Sequence, residues 1–514
     1  MQTAIYKNRS FFHKNGSEVN LMIEKYKSSS NIFTGWLYPL IVAALVLAGS
    51  LTGLEVYFGL VNIILVSVAL VISNTIKPFL FFLITFAYQM PAVHLYPSDY
   101  YTTGPRPYLL IGSLIILAAA LVTFIVKNGI FYRAKVTKIP LFIPLCVLSV
   151  GMLLNGIGSA DYKPMNLVWA LLMMLVYFFL YIVVYLGLKY DDPYELAQYF
   201  TYMTLLTSWI LIIQMGKIYF VDGVLVDGVL DRGKIVTGYG VCTLIGFHIS
   251  TLIPVNFYGF MRGKAPALSL ITAILVWIAS IATTSRNAAI FSTIYFIICL
   301  IYAMIEGERV RGARIFGASL SGALLLLIAI FSFYYANPGL VPNGAFGGII
   351  SNVNGVVRQY IERGMNSSGR TEIWKHCVQI FKENPIFGTG FFGMHVSPQF
   401  VPQEFIPEYA HNTFFELIGA TGIVGTLAYG FYRIATVRFL FDKFSPERFM
   451  LILGASVLAV ESLLDNYVFQ VYTTFYYVIA FAICALLYDE VRVPKCAGLY
   501  VLDTTELHKR YNYK

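Results

Sequence analysis

The chain has 514 residues, 58% of them hydrophobic and only 12% charged, with a mean hydropathy of +0.70. Soluble domains run to about 45–50% apolar and about 25% charged, so a soluble protein is excluded and an integral membrane protein remains. The formal charge of +9 matters through where the cations fall along the chain, and it calls for no nucleic-acid partner.

Residues 1–32 read as a polar, basic tail without a cleavable signal, and the apolar run from about Ile32 reads as an uncleaved insertion signal. Apolar runs long enough to span a bilayer follow at about 33–52, 56–73, 77–94, 107–126, 139–156, 166–188, 197–215, 239–260, 265–283, 287–305, 316–335, 411–432, 449–466 and 468–489. The expected fold class is therefore all-α, a polytopic membrane protein of about 14 transmembrane helices, with the runs at 77–94 and 449–466 the weakest. Its units read as a cytoplasmic tail 1–32, a transmembrane bundle 33–335, a large extracytoplasmic loop 336–410, C-terminal transmembrane helices 411–489 and a cytoplasmic tail 490–514.

Cations orient these spans. With the N-terminal tail inside, alternation puts Lys127, Arg133, Lys135 and Lys138 inside, then Arg262 and Lys264, then Arg309, Arg311 and Arg314. The loop with Arg433, Arg438, Lys443 and Arg448 follows on the same side, as does the tail with Arg492, Lys495, Lys509 and Arg510. This agrees with the positive-inside rule and makes both termini cytoplasmic. Of six cysteines only Cys377 falls in the large outer loop, so no disulfide within the chain is expected there. No CxxC or His/Cys cluster points to a metal, and no cofactor is expected.

Two outer loops stand out. The first, about 216–238, holds a duplication, Val221-Asp222-Gly223-Val224-Leu225 and then Val226-Asp227-Gly228-Val229-Leu230, which suits a small hairpin. Asp222, Asp227 and Asp231 are also candidate ligands of a divalent ion, although turn chemistry accounts for them without one. Arg232 and Lys234 follow as weaker phosphate-binding candidates, or as interface anchors. The second loop, 336–410, contains a helix start at Ser368-Gly369-Arg370-Thr371-Glu372. Ile373, Trp374, Cys377, Ile380 and Phe381 then form an apolar stripe until Asn384-Pro385 stops the helix. A turn-rich segment with Gly388, Gly390 and Gly393 comes next.

Arg286 is the clearest single charge, at the outer end of one span and the start of the next. An arginine there either snorkels to the interface or clamps a phosphate in bidentate fashion. Arg370 is either a solvated loop residue or a second phosphate ligand, and Lys375 and His376 lie just over a turn beyond it. His411 and Asn412 sit where the long loop re-enters an apolar helix. The partial positive charge of a helix N-terminus favours neutral imidazole, so His411 is a candidate base, or simply a polar interface residue. Gly419, Gly422 and Gly425 leave a thin helix face for a neighbour or a lipid chain. Glu416 is placed to orient a partner arginine or to pair within the bundle. Glu461 and Asp465 in the next span are costly in lipid and call for partners, with Arg286 a candidate. His94 and His248 read as structural.

These pieces together resemble the O-antigen ligase and polymerase superfamily of bacterial membrane glycosyltransferases. His411-Asn412 followed by Gly422 and Gly425 resembles its C-terminal histidine signature. Ser368-Gly369-Arg370 with Trp374, Pro385, Gly388 and Gly390 is similar to its loop pattern, and Ser285-Arg286 resembles its arginine at an outer helix end. The specific part covers roughly 280–430. Near 232–238 the chain departs, with Arg232, Lys234 and Gly238 but no asparagine-bearing turn.

The resemblance implies an oligosaccharide donor linked to a polyprenyl diphosphate, typically undecaprenyl, and a glycan hydroxyl as acceptor. Arg286 and Arg370 would hold the diphosphate without a metal, and His411 would deprotonate the acceptor. Asn412, Glu416, Lys375, Arg232 and Lys234 would contribute to binding. Direct displacement would invert the anomeric carbon. A surface-polysaccharide polymerase is the first reading. A ligase to lipid A-core or protein is the second, and a lipid-linked glycan flippase comes from another class. The location implied is the bacterial cytoplasmic membrane, with chain-length regulators or other envelope assembly proteins as candidate partners.

Overall fold

The computed structural model of the chain describes residues 33, 35–90, 104–133, 135–222, 235–283, 285–306, 312, 317, 329–330, 332–340, 370–392, 410–463 and 471–492. The side chains of 286, 471–472 and 489–492 are not described. The helices are α1 (Leu37–Thr52), α2 (Glu55–Ile72), α3 (Lys77–Gln89), α4 (Arg106–Lys127), α5 (Phe142–Leu153), α6 (Met165–Met174), α7 (Tyr181–Gly187), α8 (Pro193–Phe220), α9 (Cys242–Arg262), α10 (Pro266–Ala282), α11 (Arg286–Glu306), α12 (Arg370–Glu383), α13 (Thr413–Phe441), α14 (Pro446–Glu461) and α15 (Val471–Arg492). A π-helical turn, Leu175–Leu180, joins α6 to α7 in one rod.

Local chemistry sets these boundaries. Asp192 caps α8 through the amides of Tyr194 and Glu195, and Ser445 caps α14 through Arg448. Proline in the first turn opens α3, α4, α8, α10 and α14, where its missing N–H has no helical partner to lose. Gly53, left-handed at φ 72°, ends α1.

Among the described residues, seven helical stretches are long and apolar enough to cross a membrane: Glu55–Ile72, Arg106–Tyr132, Met165–Gly187, Pro193–Phe220, Cys242–Arg262, Asn287–Glu306 and Thr413–Phe441. Four apolar helices, Leu37–Thr52, Phe142–Leu153, Pro266–Ala282 and Thr473–Tyr488, are shorter. The chain is an all-α, multi-pass membrane protein. Its expected span at 316–335 lies for the greater part outside the described residues.

The bundle is organised around α9, which is enclosed by protein along its spanning window. It packs against α8, α10, α11 and α14, and Gly246 meets Ala288 of α11 so closely that a side chain there would overlap it. Helix α15 is a second interior element, against α3, α7, α8 and α14. Helix α4 lies at the edge and packs chiefly on α2, with most of its apolar surface outward.

Close approaches sort the helix ends. Lys217 Nζ donates to Ser50 O at 3.4 Å, Tyr219 Oη donates to Ala282 O, and Thr413 N donates to Ser462 O at 2.8 Å. The C-termini of α1, α8, α10 and α14 therefore share one end of the bundle with the N-termini of α9, α11 and α13. At the opposite end, cations cap last-turn carbonyls. Lys127 donates to Val71 O and Ile72 O, Arg133 to Leu186 O and Gly187 O, and Arg448 to Phe439 O.

One expectation shifts and another lies outside the described residues. A hairpin is formed by β1 (Val236–Thr237) and β2 (Gly240–Val241), beyond the duplication. The duplicated segment lies largely outside the described residues, with only Val221 and Asp222 inside. Helix α13 runs on to Phe441, and α14 begins at Pro446. Arg433, Arg438 and Arg448 are thus helical residues, and only Lys443 of that group lies in the turn.

A candidate active site at one end of the bundle

His411 immediately precedes helix α13 and has a left-handed backbone, φ 51°. Non-glycine residues adopt this conformation rarely, and it persists only where surrounding contacts fix it. Those contacts lie on both sides of the histidine. Asn412 caps α13, its Oδ1 accepting from Phe414 N at 2.8 Å and Phe415 N at 3.3 Å. Its Nδ2 donates to Leu463 O at 2.6 Å. On the other side, fully buried Ala410 donates its N–H to Glu416 Oε2 at 2.7 Å and accepts from Trp374 Nε1 at 2.9 Å. The Trp374 ring also stacks on Phe415, with centroids 4.9 Å apart and planes 9° from parallel. The His411 side chain itself is half-buried.

Trp374 belongs to α12, the amphipathic helix expected from the loop sequence. Its stripe is turned inward, with Ile373, Cys377 and Ile380 buried and Trp374 and Phe381 half-buried. Cys377 is a free thiol, pushed up from its ordinary pKa by burial and, less strongly, by the Glu416 carboxylate. Arg370, half-buried, is the first residue of α12 and lies one turn before Trp374, about 6 Å along the axis. Lys375 is exposed, and its Nζ pairs with Glu372 at 2.8 Å, holding that carboxyl below its usual range. The structure thus brings Arg370, His411, Asn412 and Glu416 together through α12 and α13 and leaves Lys375 on the outward face. Glu416 is fully buried and grips the backbone of Ala410.

The glycine pattern has a different outcome from a thin helix face. Helix α13 is broken at Gly422, where φ 59° and ψ −158° fall in a region essentially reserved for glycine. An intact helix would bond Ile423 N to Gly419 O and Val424 N to Ala420 O. Here residues 385–390 take both sides of those bonds. Thr389 N donates to Gly419 O at 3.1 Å and Gly390 N to Ala420 O at 2.8 Å. Ile423 N donates to Pro385 O at 2.9 Å and Val424 N to Ile386 O at 3.2 Å. A Cβ at Gly422 would lie 2.5 Å from Ile386 O, and one at Gly388 would lie 2.4 Å from Ala420 C. Gly151 of α5 lies against Gly425 and Ala428 of α13. The outer side of the loop is pinned as well, by Gly156 N to Phe387 O at 2.7 Å and Phe392 N to Asn166 Oδ1 at 2.7 Å. Asn166 and Gly156 escaped the sequence reading. The available signal was a buried asparagine at the mouth of an apolar run.

Arg286 is the first residue of α11. Tyr295 Oη, nine residues further on, lies 3.2 Å from Ser456 Oγ, which is five residues short of the end of α14. The start of α11 and the end of α14 therefore point to the same end of the bundle, where Ser462 and Leu463 bond the His411 turn. Glu461 is buried there. Arg232, Lys234, Asp227, Asp231, His94 and Asp465 lie outside the described residues. His248 is fully buried and stacks on Tyr239 at 3.7 Å, which suits a structural residue. Among the described residues no group of three or more His, Cys, Asp or Glu side chains is arranged to hold a metal.

No curated protein matches the chain. Residues 271–430 match the family described as O-Antigen ligase. The matched span runs from within α10 to the middle of α13 and includes Arg286, Arg370, Trp374, His411, Asn412, Glu416 and Gly422, while Arg232 and Lys234 fall before it. Over this span the multi-pass membrane protein is similar to the O-antigen ligase family.

Proposed function

We propose that the protein transfers an oligosaccharide from a polyprenyl diphosphate to a glycan hydroxyl, as a surface-polysaccharide polymerase. The observation that carries this reading is the His411 turn. It holds the backbone of His411 in a left-handed conformation beside the helix that begins with Arg370, at the end of the bundle where Arg286 opens α11. In this reaction the acceptor oxygen attacks the anomeric carbon while the carbon–oxygen bond to the diphosphate breaks. His411 takes the hydroxyl proton. Arg286 and Arg370 bind the diphosphate and stabilise the charge it gains as it leaves, which needs no metal. Attack opposite the leaving group inverts the anomeric centre. Asn412 keeps the turn in place, and Arg232 and Lys234 are candidates for further phosphate contacts. The reading includes about 14 spans, cytoplasmic termini and a site on the outer face of a bacterial cytoplasmic membrane. The cations that cap helix ends opposite His411 support that orientation.

The test is transfer by purified protein given a lipid-linked donor and candidate acceptors. His411→Ala should slow transfer about 100- to 10,000-fold, the usual contribution of a general base, with an unchanged melting temperature. Arg286→Ala should lower the rate and weaken donor binding. Full activity of His411→Ala would remove the base assignment. Products that lengthen on the carrier identify a polymerase, and products on a new anchor identify a ligase.

A further inference from the structure

We propose that Trp374 and Glu416 are positioning residues: they clamp Ala410 from opposite sides, fix the His411 turn, and join it to the helix that Arg370 begins. The proposal rests on the glycosyltransferase reading of the site and adds to it a link between donor binding and the readiness of the base.

Ala410 has two backbone polar groups, and each is held by a side chain from a different element. Trp374 Nε1 of α12 donates to its carbonyl at 2.9 Å, and Glu416 Oε2 of α13 accepts from its amide at 2.7 Å. With both sides of that residue fixed, and with Asn412 fixed by its cap and by Leu463 O, the histidine between them has little freedom to leave φ 51°. A left-handed non-glycine residue relaxes unless its neighbours over-determine it. Glu416 is completely buried, and its carboxylate acts on backbone one residue before the base. A buried amide left without such an acceptor carries its full desolvation cost, so the bond is expensive to lose.

Trp374 supplies the link. Its ring lies flat on Phe415 of α13 while its backbone belongs to α12. One turn before it is Arg370, a proposed diphosphate ligand. A helix moves as a rod over this distance, so a diphosphate that draws in Arg370 also seats Trp374 on Ala410. A donor bound at Arg370 would therefore reinforce the His411 turn in the geometry that the Trp374–Ala410 bond already gives it.

The experiment uses the full-length protein in detergent with lipid-linked donor and acceptor. Trp374→Phe keeps an aromatic ring for Phe415 and deletes the N–H together with part of the ring area. It should lower kcat about tenfold, equivalent to one hydrogen bond, leaving donor KM within about twofold and the melting temperature unchanged. Glu416→Gln retains an oxygen for the Ala410 amide and should keep most of the rate, whereas Glu416→Ala should lose it. In a His411→Ala background Trp374→Phe should cause no further loss, because it acts through the histidine. A Trp374→Phe enzyme with full kcat overturns the clamp, as does Glu416→Gln that is as inactive as Glu416→Ala, or additive losses in the double variant. Should Glu416→Ala fail to fold, the Trp374→Phe and Glu416→Gln results decide. If His411→Ala alone were fully active, the catalytic reading would fail first, and this result is separate from the clamp outcomes.

Discussion

The two halves of α13 are held by opposite means. Its first half, from Thr413 to Gly422, is fastened through the backbone: a loop replaces two helical hydrogen bonds, a cap closes the start, and side chains reach for main-chain atoms of Ala410. Its second half is fastened through side chains. Arg433 donates to Tyr429 Oη at 2.7 Å and Tyr477 Oη at 3.2 Å, and three tyrosine rings surround its guanidinium at 4.8–5.7 Å. Among the described residues no carboxylate pairs with it, and its Nη2 and Thr436 Oγ1 lack partners beside a cavity of about 170 Å³. The contrast teaches where precision is needed. A backbone lattice allows almost no adjustment and suits a reacting group. A cage of rings and hydroxyls tolerates small movements and suits a cation that only has to be accommodated.

Three substitutions can break or sharpen this contrast. Gly422→Val should have the largest effect. It forces a branched side chain into a glycine-only backbone region and against Ile386 O, at about 3 kcal/mol or more, read as a lower melting temperature together with lost transfer. Tyr429→Phe should come next: it removes the oxygen that accepts from Arg433 Nε and costs about 2 kcal/mol, typical of a bond to a charged group, with transfer largely retained. A larger stability loss for Tyr429→Phe than for Gly422→Val would reverse the comparison. Lys375→Ala should be smallest. The pair with Glu372 is exposed on both sides, so melting and donor KM should both stay put, and a raised donor KM would show that the outward face of α12 meets substrate after all.

The spans were legible because run length is a strong signal in a chain this apolar, and most described helices fall within a few residues of their expected runs. The stripe Ile373, Cys377, Ile380 was legible for a similar reason, since one face had to be buried. The break at Gly422 was not. Three glycines at helical spacing fit a thin continuous helix as well as an interrupted one, and only the distant loop 385–390 decides between them. Arg433 was hidden by the rule that cations mark loops. A ring of tyrosines keeps it inside a helix, and those tyrosines come from positions as far apart as Tyr429 and Tyr477. The role of Glu416 lay equally out of reach, because its partner is a main-chain N–H that no pattern of side chains announces. His411, Asn412 and Arg370 were picked out by residue type at element boundaries, which is where the structure places them.

The interruption at Gly422 also divides α13 by length. The segment from 423 to 441 has a rise of about 28 Å, close to the roughly 30 Å hydrocarbon thickness of a bilayer. The nine residues above it are tied to the loop rather than to the rod below. A membrane that thickens or thins is accommodated by tilt of the lower rod, while the upper segment keeps its attitude. On the proposed reading of the site, tilt of the lower rod is thereby kept from the His411 turn.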